Sequence, residues 1–321
     1  MLDWAKSLFR WKTPRHSLQA DLLTLAVERD RLHSTVEELR STLASYERGW
    51  PPGHFYSPIP NLSEIASDEE RLFGSPPRTI AGLDLNEARQ LELLQQLQAY
   101  YPLQPFADEK QAGIRYWFQN PNFSYGEALV LYGMLSLLRP KRVVEVGSGY
   151  SSCVILDTNE QVFANQIACT FIEPYPELLR SLLKEDDFPR ISIIGNRIQT
   201  IDPAVFARLE PNDLLFIDSS HVSKTGSDVN HIFFEVLPLL QPGVVVHFHD
   251  VGYPFEYPKS WVSQGRAWNE AYLLHAFLAY NGAFQIELFN AFLGQFHAEA
   301  LESSMPLALK NPGTSIWLSR R

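Results

Sequence analysis

The stretch "RVVEVGSG", Arg142 to Gly149, decides the fold. Val143, Val144 and Val146 read as a buried strand interrupted by Glu145. Gly147 and Gly149 then read as a tight turn leading into the helical pattern that begins at Tyr150. A strand that enters a helix through bare backbone amides is the ligand-bearing edge of an open α/β sheet. Outward from it the alternation repeats in "ACTFIEP", "RISIIG", "LLFIDSS", "GVVVHFHD", "FQIELFN" and "TSIWLSR". Continuous apolar strands separated by helical runs predict a mostly parallel sheet with helices on both faces. The last two runs have only a short connection and are expected as an antiparallel pair at the sheet edge.

A chain of 321 residues with 45% hydrophobic side chains can bury a full core. Its formal charge of -10 repels phosphate backbones and anionic membranes, so a small molecule or a protein is the expected partner and nucleic acid is not. Cys153 and Cys169 both sit inside apolar runs, which gives neither a disulfide framework nor a Cys-rich zinc motif and fits a reducing, cytoplasmic setting. No run is long and apolar enough to span a membrane, and "MLDWAKSLFRWK" lacks the features of a signal peptide. Residues 1–16 are read as a segment that packs on protein, in preference to a membrane-surface helix.

Leu18, Leu22, Leu25, Arg29, Leu32, Val36, Leu39 and Leu43 alternate steps of four and three, the a/d rhythm of a coiled coil over residues 17–46. A second copy is the simplest partner for that seam, so a homo-oligomer is expected. Residues 47–124 are read as a proline-rich linker, "GWPPGHFYSPIPNLSEI", followed by a small helical cap, and residues 125–321 as the sheet-bearing domain.

At the end of the second strand Glu173 stands 24 residues after Gly149, where a carboxylate can take both hydroxyls of a ribose. Ser152 occupies the place of the third glycine of a dinucleotide fingerprint, which argues against hydride transfer, and an acid ahead of the glycines suits a cationic ligand. On "VVEVGSGYSS", "FIEP", "LLFIDSSH" and "VVVHFHD" the chain from Lys141 to Arg321 resembles the class I S-adenosylmethionine-dependent methyltransferases. The resemblance implies a Rossmann-like seven-stranded sheet with a reversed last strand. It also implies a cofactor site of Glu145, Gly147, Ser148, Gly149, Ser152, Glu173 and Asp218.

The fourth strand ends on Asp218 and His221, the fifth on His249 and Asp250, and neighbouring strands deliver these side chains to one edge. Such oxygen and nitrogen donors can hold Mg, Mn, Fe or Zn. The pattern is similar to family-24 methyltransferase domains and to metal-dependent O-methyltransferases of macrolide sugars. That similarity implies Asp218 and Asp250 as metal ligands and His221 as base, with His249 where relatives often carry Glu. We therefore expect Asp218, His249 and Asp250 around a divalent cation, with His221 or His249 taking a proton. In the loop "GYPFEYPKSWVSQGRAWNE", Tyr253, Tyr257, Trp261 and Arg266 are expected to meet a small hydroxylated acceptor. His247, deeper on the same strand, is expected in the core. A metal-free O- or N-methyltransferase, a non-haem iron oxygenase and a silent assembly module remain as alternatives.

Overall fold

The computed structural model describes residues 15–46 and 49–321. The side chains of the N-terminal segment, residues 1–16, and of Leu18 lie outside the described residues. Two compact units part between Ser67 and Asp68.

The first unit carries helix α1, Arg15–Tyr46. Its seam positions Leu22, Leu25, Leu32, Val36, Leu39 and Leu43 are exposed, from 42% at Val36 to 63% at Leu39. After α1, Trp50 stacks on His54 with ring centroids 4.2 Å apart, and the short helix Leu62–Ser67 closes the unit.

The second unit is built on one seven-stranded sheet. Its strands are β1 (Arg142–Val146), β2 (Ala168–Ile172), β3 (Ser192–Ile194), β4 (Leu214–Ile217), β5 (Val245–Phe248), β6 (Phe284–Phe289) and β7 (Ile316–Arg320). The spatial order is β3-β2-β1-β4-β5-β7-β6. The first five strands pair in parallel, and β7 runs antiparallel to both β5 and β6. Strand order reverses between β1 and β4, which opens a crevice at their carboxyl ends. Every residue of β4 and β5 is buried, His247 of β5 included.

Three helices position the site. Helix α2, Glu87–Gln98, lies on β6, where Gln90 Oε1 accepts a bond from the Phe289 amide at 2.8 Å. The helical cap is thus packed into the sheet-bearing unit. Helix α3, Tyr125–Leu138, is apolar on nearly all sides and carries one charged residue, Glu127. Helix α4, Tyr150–Phe163, follows the glycine turn.

Two buried ionisable side chains tie this framework together. The Arg115 guanidinium is 3% exposed and meets Asp157 at 2.7 Å, Glu160 at 2.8 Å and Asp187. Asp157 also accepts the amides of Arg115 and Tyr116 at 2.9 Å each, so one arginine anchors the cap to α4 and to the segment after β2. Glu145 on β1 is fully buried and accepts the hydroxyls of Ser151, at 2.5 Å, and Ser152 from the first turn of α4. Burial, partly offset by these two bonds, pushes Glu145 up to about 8.

Replacing Arg115 by alanine leaves two buried carboxylates unpaired and is expected to cost about 3–5 kcal/mol of stability, measured from the denaturation midpoint. For Glu145 the folded state holds a proton that the unfolded state has released above its ordinary value. Stability is expected to fall, by on the order of a few kcal/mol, as pH rises from about 4.5 to about 8. Glu145→Gln should flatten that slope in denaturant titrations across the window.

Candidate active site

The crevice at the switch point is a cleft of about 510 Å³ bordered by Gly147, Glu173, Arg197, Gln199 and Asp218. Gly147 has φ 78°, and a Cβ there would stand 1.9 Å from the Asp218 carbonyl oxygen. Glycine at this position lets β1 and β4 stay side by side at the mouth of the cleft. Glu173 is held at the rim by the Ser148 amide at 3.1 Å and the Tyr175 amide at 2.8 Å, which leaves lone pairs on both oxygens. Ser148 Oγ is buried without a hydrogen-bond partner among the described residues. A bare turn, an orphaned hydroxyl and a fixed acid fit the polar half of a nucleoside ligand. Glu145 and Ser152, expected among the cofactor contacts, instead face each other inside the fold. They form the cleft by anchoring the turn, since Ser152 Oγ also accepts the Gly149 amide at 3.1 Å.

Asp218 lines this cleft and also enters a second cluster. His221 Nε2 is 3.3 Å from Asp218 Oδ1 and 3.6 Å from Asp250 Oδ2. His249 Nδ1 is 3.5 Å from Asp218 Oδ1 and 3.4 Å from Asp250 Oδ1. Asp218, His221 and Asp250 offer donor atoms all within 4.8 Å of one another, a spacing compatible with one shared cation. His249 stands outside that mutual set although it faces both carboxylates. His249 Nδ1 is buried and has no hydrogen-bond partner among the described residues.

Two acids that the sequence reading did not single out hold the imidazoles from behind. Glu270 Oε2 meets His221 Nδ1 at 2.9 Å, and Glu127 Oε2 meets His249 Nε2 at 2.9 Å. Glu270 opens helix α5, Glu270–Leu278, and its other oxygen accepts the Ser219 hydroxyl at 2.8 Å. The amides of Asn269 and Glu270 donate to the His221 carbonyl at 2.9 and 3.1 Å, so the β4 loop and the start of α5 clasp each other. Glu127 Oε1 accepts the Thr314 amide at 3.0 Å. Gly126 and Gly313 permit that approach, because a Cβ at Gly126 would stand 2.4 Å from the Pro312 carbonyl and one at Gly313 would meet Glu127 at 2.1 Å. A lone acid in an otherwise apolar helix was the sequence signal for Glu127. Glu270 had none beyond an ordinary helix start.

His221 and Asp250 both have φ of 58°, a left-handed backbone that costs energy in non-glycine residues and is held here by the surrounding bonds. Burial alone would depress His221, but the adjacent carboxylates of Asp218 and Glu270 outweigh it and push the ring up to about 10. His249 is likewise raised well above its ordinary value, burial being overcome by the charges of Glu127, Asp250 and Asp218. Burial opposes ionisation of Asp218, yet the adjacent His249 and His221 hold it well below the carboxylate range. His247 is a core residue as expected. It stacks on Phe216 with centroids 4.0 Å apart and is kept neutral by burial and by the charge of His249. Neither of its ring nitrogens has a hydrogen-bond partner among the described residues.

Of the expected acceptor contacts, Tyr253 and Tyr257 border a second cleft of about 540 Å³ between residues 69–77 and 252–259. Their hydroxyls are committed to backbone: Tyr253 donates to the Pro77 carbonyl at 2.6 Å and Tyr257 accepts the Ala271 amide at 3.0 Å. Tyr257 is also 3% exposed, so it shapes the wall more than it offers a polar contact. Thr314, in the same lining, donates to Asp250 Oδ1 at 3.3 Å and places this cleft beside the cluster. Arg266 lies over Trp261 at 4.6 Å and over Trp268 at 5.0 Å. Trp268 in turn packs on the His221 ring with centroids 4.4 Å apart, so it is the aromatic of this loop that reaches the cluster.

Residues 144–251 match the family described as a methyltransferase domain. An uncharacterized protein of Archaeoglobus fulgidus is 34% identical over 168 residues, which cover 51% of this chain and 75% of that protein. Among solved structures, the SAH-bound methyltransferase PaMTH1 of Podospora anserina is similar with a TM-score of 0.41 and 12% identity, covering 81% of this chain and 95% of that one. The O-methyltransferase of Bacillus cereus in complex with SAH has a TM-score of 0.40 and 14% identity, covering 72% and 90%. Residues 144–251 of the chain are thus a methyltransferase domain of that family.

Proposed function

We propose that this methyltransferase methylates a hydroxyl of a small polyhydroxylated or glycosylated acceptor with the help of a divalent cation. The observation that carries the proposal is the pair of carboxylates, Asp218 and Asp250, faced by two imidazole nitrogens at 3.3–3.6 Å beside the cofactor cleft. Those separations are too long for good hydrogen bonds. They are close to the edges of a tetrahedron with arms of about 2.0–2.2 Å, the usual distance of such donors from a first-row dication. Asp218, Asp250 and the unpartnered His249 Nδ1 would hold the cation.

When bound, the cofactor supplies a methyl group on a positively charged sulfur, and the cation polarises the acceptor oxygen. The residues do the rest. Gly147, Ser148 and Glu173 fix the cofactor, the last by taking the ribose hydroxyls. Glu270 holds His221 Nδ1, so that Nε2 points to where an acceptor hydroxyl must lose its proton. The cleft between residues 69–77 and 252–259 offers the volume of a small organic molecule and opens beside Asp250.

A metal-free reading has one observation in its favour: raised imidazoles can themselves neutralise the acids around them. Metal analysis with and without EDTA separates the two. Asp250→Asn should lose metal and activity together. His221→Ala should keep metal and cofactor while turnover, followed as S-adenosylhomocysteine formed with polyhydroxylated acceptors, falls about 10²–10⁴-fold. A metal-free wild type fully active in EDTA would sink the cation. Loss of metal from His221→Ala would make His221 a ligand and not the base. Glu173→Ala should weaken S-adenosylmethionine about 10- to 100-fold in calorimetry, the worth of bonds to a charged group.

We also propose that α1 pairs with its copy in a second chain, supported by the exposed seam from Leu22 to Leu43. Deleting residues 17–46 should lower the light-scattering mass, and an unchanged mass would refute the pairing.

A further inference from the structure

We infer that Glu127 is a positioning residue that commits His249 Nδ1 to a metal and makes the site prefer a nitrogen-binding first-row dication, such as Zn(II), Mn(II) or Fe(II), over Mg(II). The inference rests on the cation reading above and concerns what selects the ion. Glu127 is 4% exposed, and its two oxygens take the Thr314 amide and His249 Nε2. A carboxylate accepts, so Nε2 carries a hydrogen, and Nδ1 is the nitrogen that can offer its lone pair when a cation takes the place of a second ring proton. Nδ1 is buried, has no hydrogen-bond partner among the described residues and faces Asp218 Oδ1 and Asp250 Oδ1 at 3.5 and 3.4 Å. Three acceptors turned toward one another repel unless a positive charge stands among them.

A histidine held from behind by a buried carboxylate is the arrangement that fixes ring orientation and raises the basicity of a metal ligand. Mg(II) favours oxygen donors and retained waters, whereas imidazole suits Zn, Fe and other first-row ions. The position before Asp250 therefore sets the ion, and α3 reaches across from 122 residues earlier to set that position. Glu270 holds His221 in the same manner from the other side, but by the opposite nitrogen, Nδ1. It serves the base and leaves ion choice alone.

The experiment uses the full chain stripped with chelator and titrated calorimetrically with MgCl₂, MnCl₂ and ZnSO₄. S-adenosylmethionine affinity and thermal midpoint report on integrity. Wild type should bind Zn(II) and Mn(II) at least about tenfold more tightly than Mg(II). Glu127→Gln should lower Zn(II) affinity about 10–100-fold while Mg(II) affinity, which depends on Asp218 and Asp250, changes much less. His249→Ala should erase the preference, and adding Glu127→Gln to it should change nothing further, because the acid acts only through the ring. Glu270→Gln should leave the preference intact. Binding of no cation by the wild type would overturn the cation reading itself. Binding of a cation without preference, or a preference unmoved by Glu127→Gln or moved equally by Glu270→Gln, would overturn this inference alone.

Discussion

The contact on which the rest of the structure depends is the approach of Gly147 to the Asp218 carbonyl. Parallel strands β1 and β4 must stay bonded to their last residue and then send their chains to opposite faces of the sheet. Any side chain at Gly147 would occupy the space of the Asp218 backbone. Because it is glycine, the Asp218 amide can still donate to the Val146 carbonyl at 2.8 Å, and the His249 amide to the Ile217 carbonyl at 2.9 Å. The strand ends thus arrive in one plane, and their next side chains, Asp218, His221, His249 and Asp250, arrive together. Anchoring the glycine turn to Glu145 through two serines fixes the same point from within the core.

Precision at that edge is reinforced by elements remote in sequence. Glu127 from α3, Glu270 from α5 and Thr314 before β7 each fasten one residue of the cluster. The left-handed backbones of His221 and Asp250 persist because these bonds over-determine them. A site assembled on strand ends and locked by helices keeps its geometry better than one carried by free loops.

The sheet was legible because buried parallel strands must be continuously apolar, and all seven runs became strands. The strand-end residues were legible for the same reason, since polar residues closing an apolar run have only the edge to go to. Glu270 was not, because nothing local distinguishes an acid at a helix start that faces water from one that reaches a histidine, and Glu127 offered only its isolation in an apolar helix, with no sign of the histidine 122 positions away. Glu145 misled in the opposite direction: an acid beside the glycines looked like a ligand for the cofactor, and α4 supplied the serines that bury it. Tyr253 and Tyr257, expected to meet an acceptor, border a cleft, but the backbone partners of their hydroxyls came from other segments.

The charges of the cluster argue for how it works. Asp218, Asp250, Glu127 and Glu270 surround two imidazoles in a poorly hydrated space, and such a group needs compensating positive charge. Two protonated rings would supply it, and with no other cation present the acids raise both rings. In that state His221, pushed up to about 10, already holds its proton at neutral pH and cannot accept another. Under the proposed cation reading, one divalent ion would supply the same two charges and let both rings be neutral, with His249 Nδ1 free to bind the ion and His221 Nε2 free to act as base. The paired acids, costly as they are to bury, would then couple cation binding to base activation.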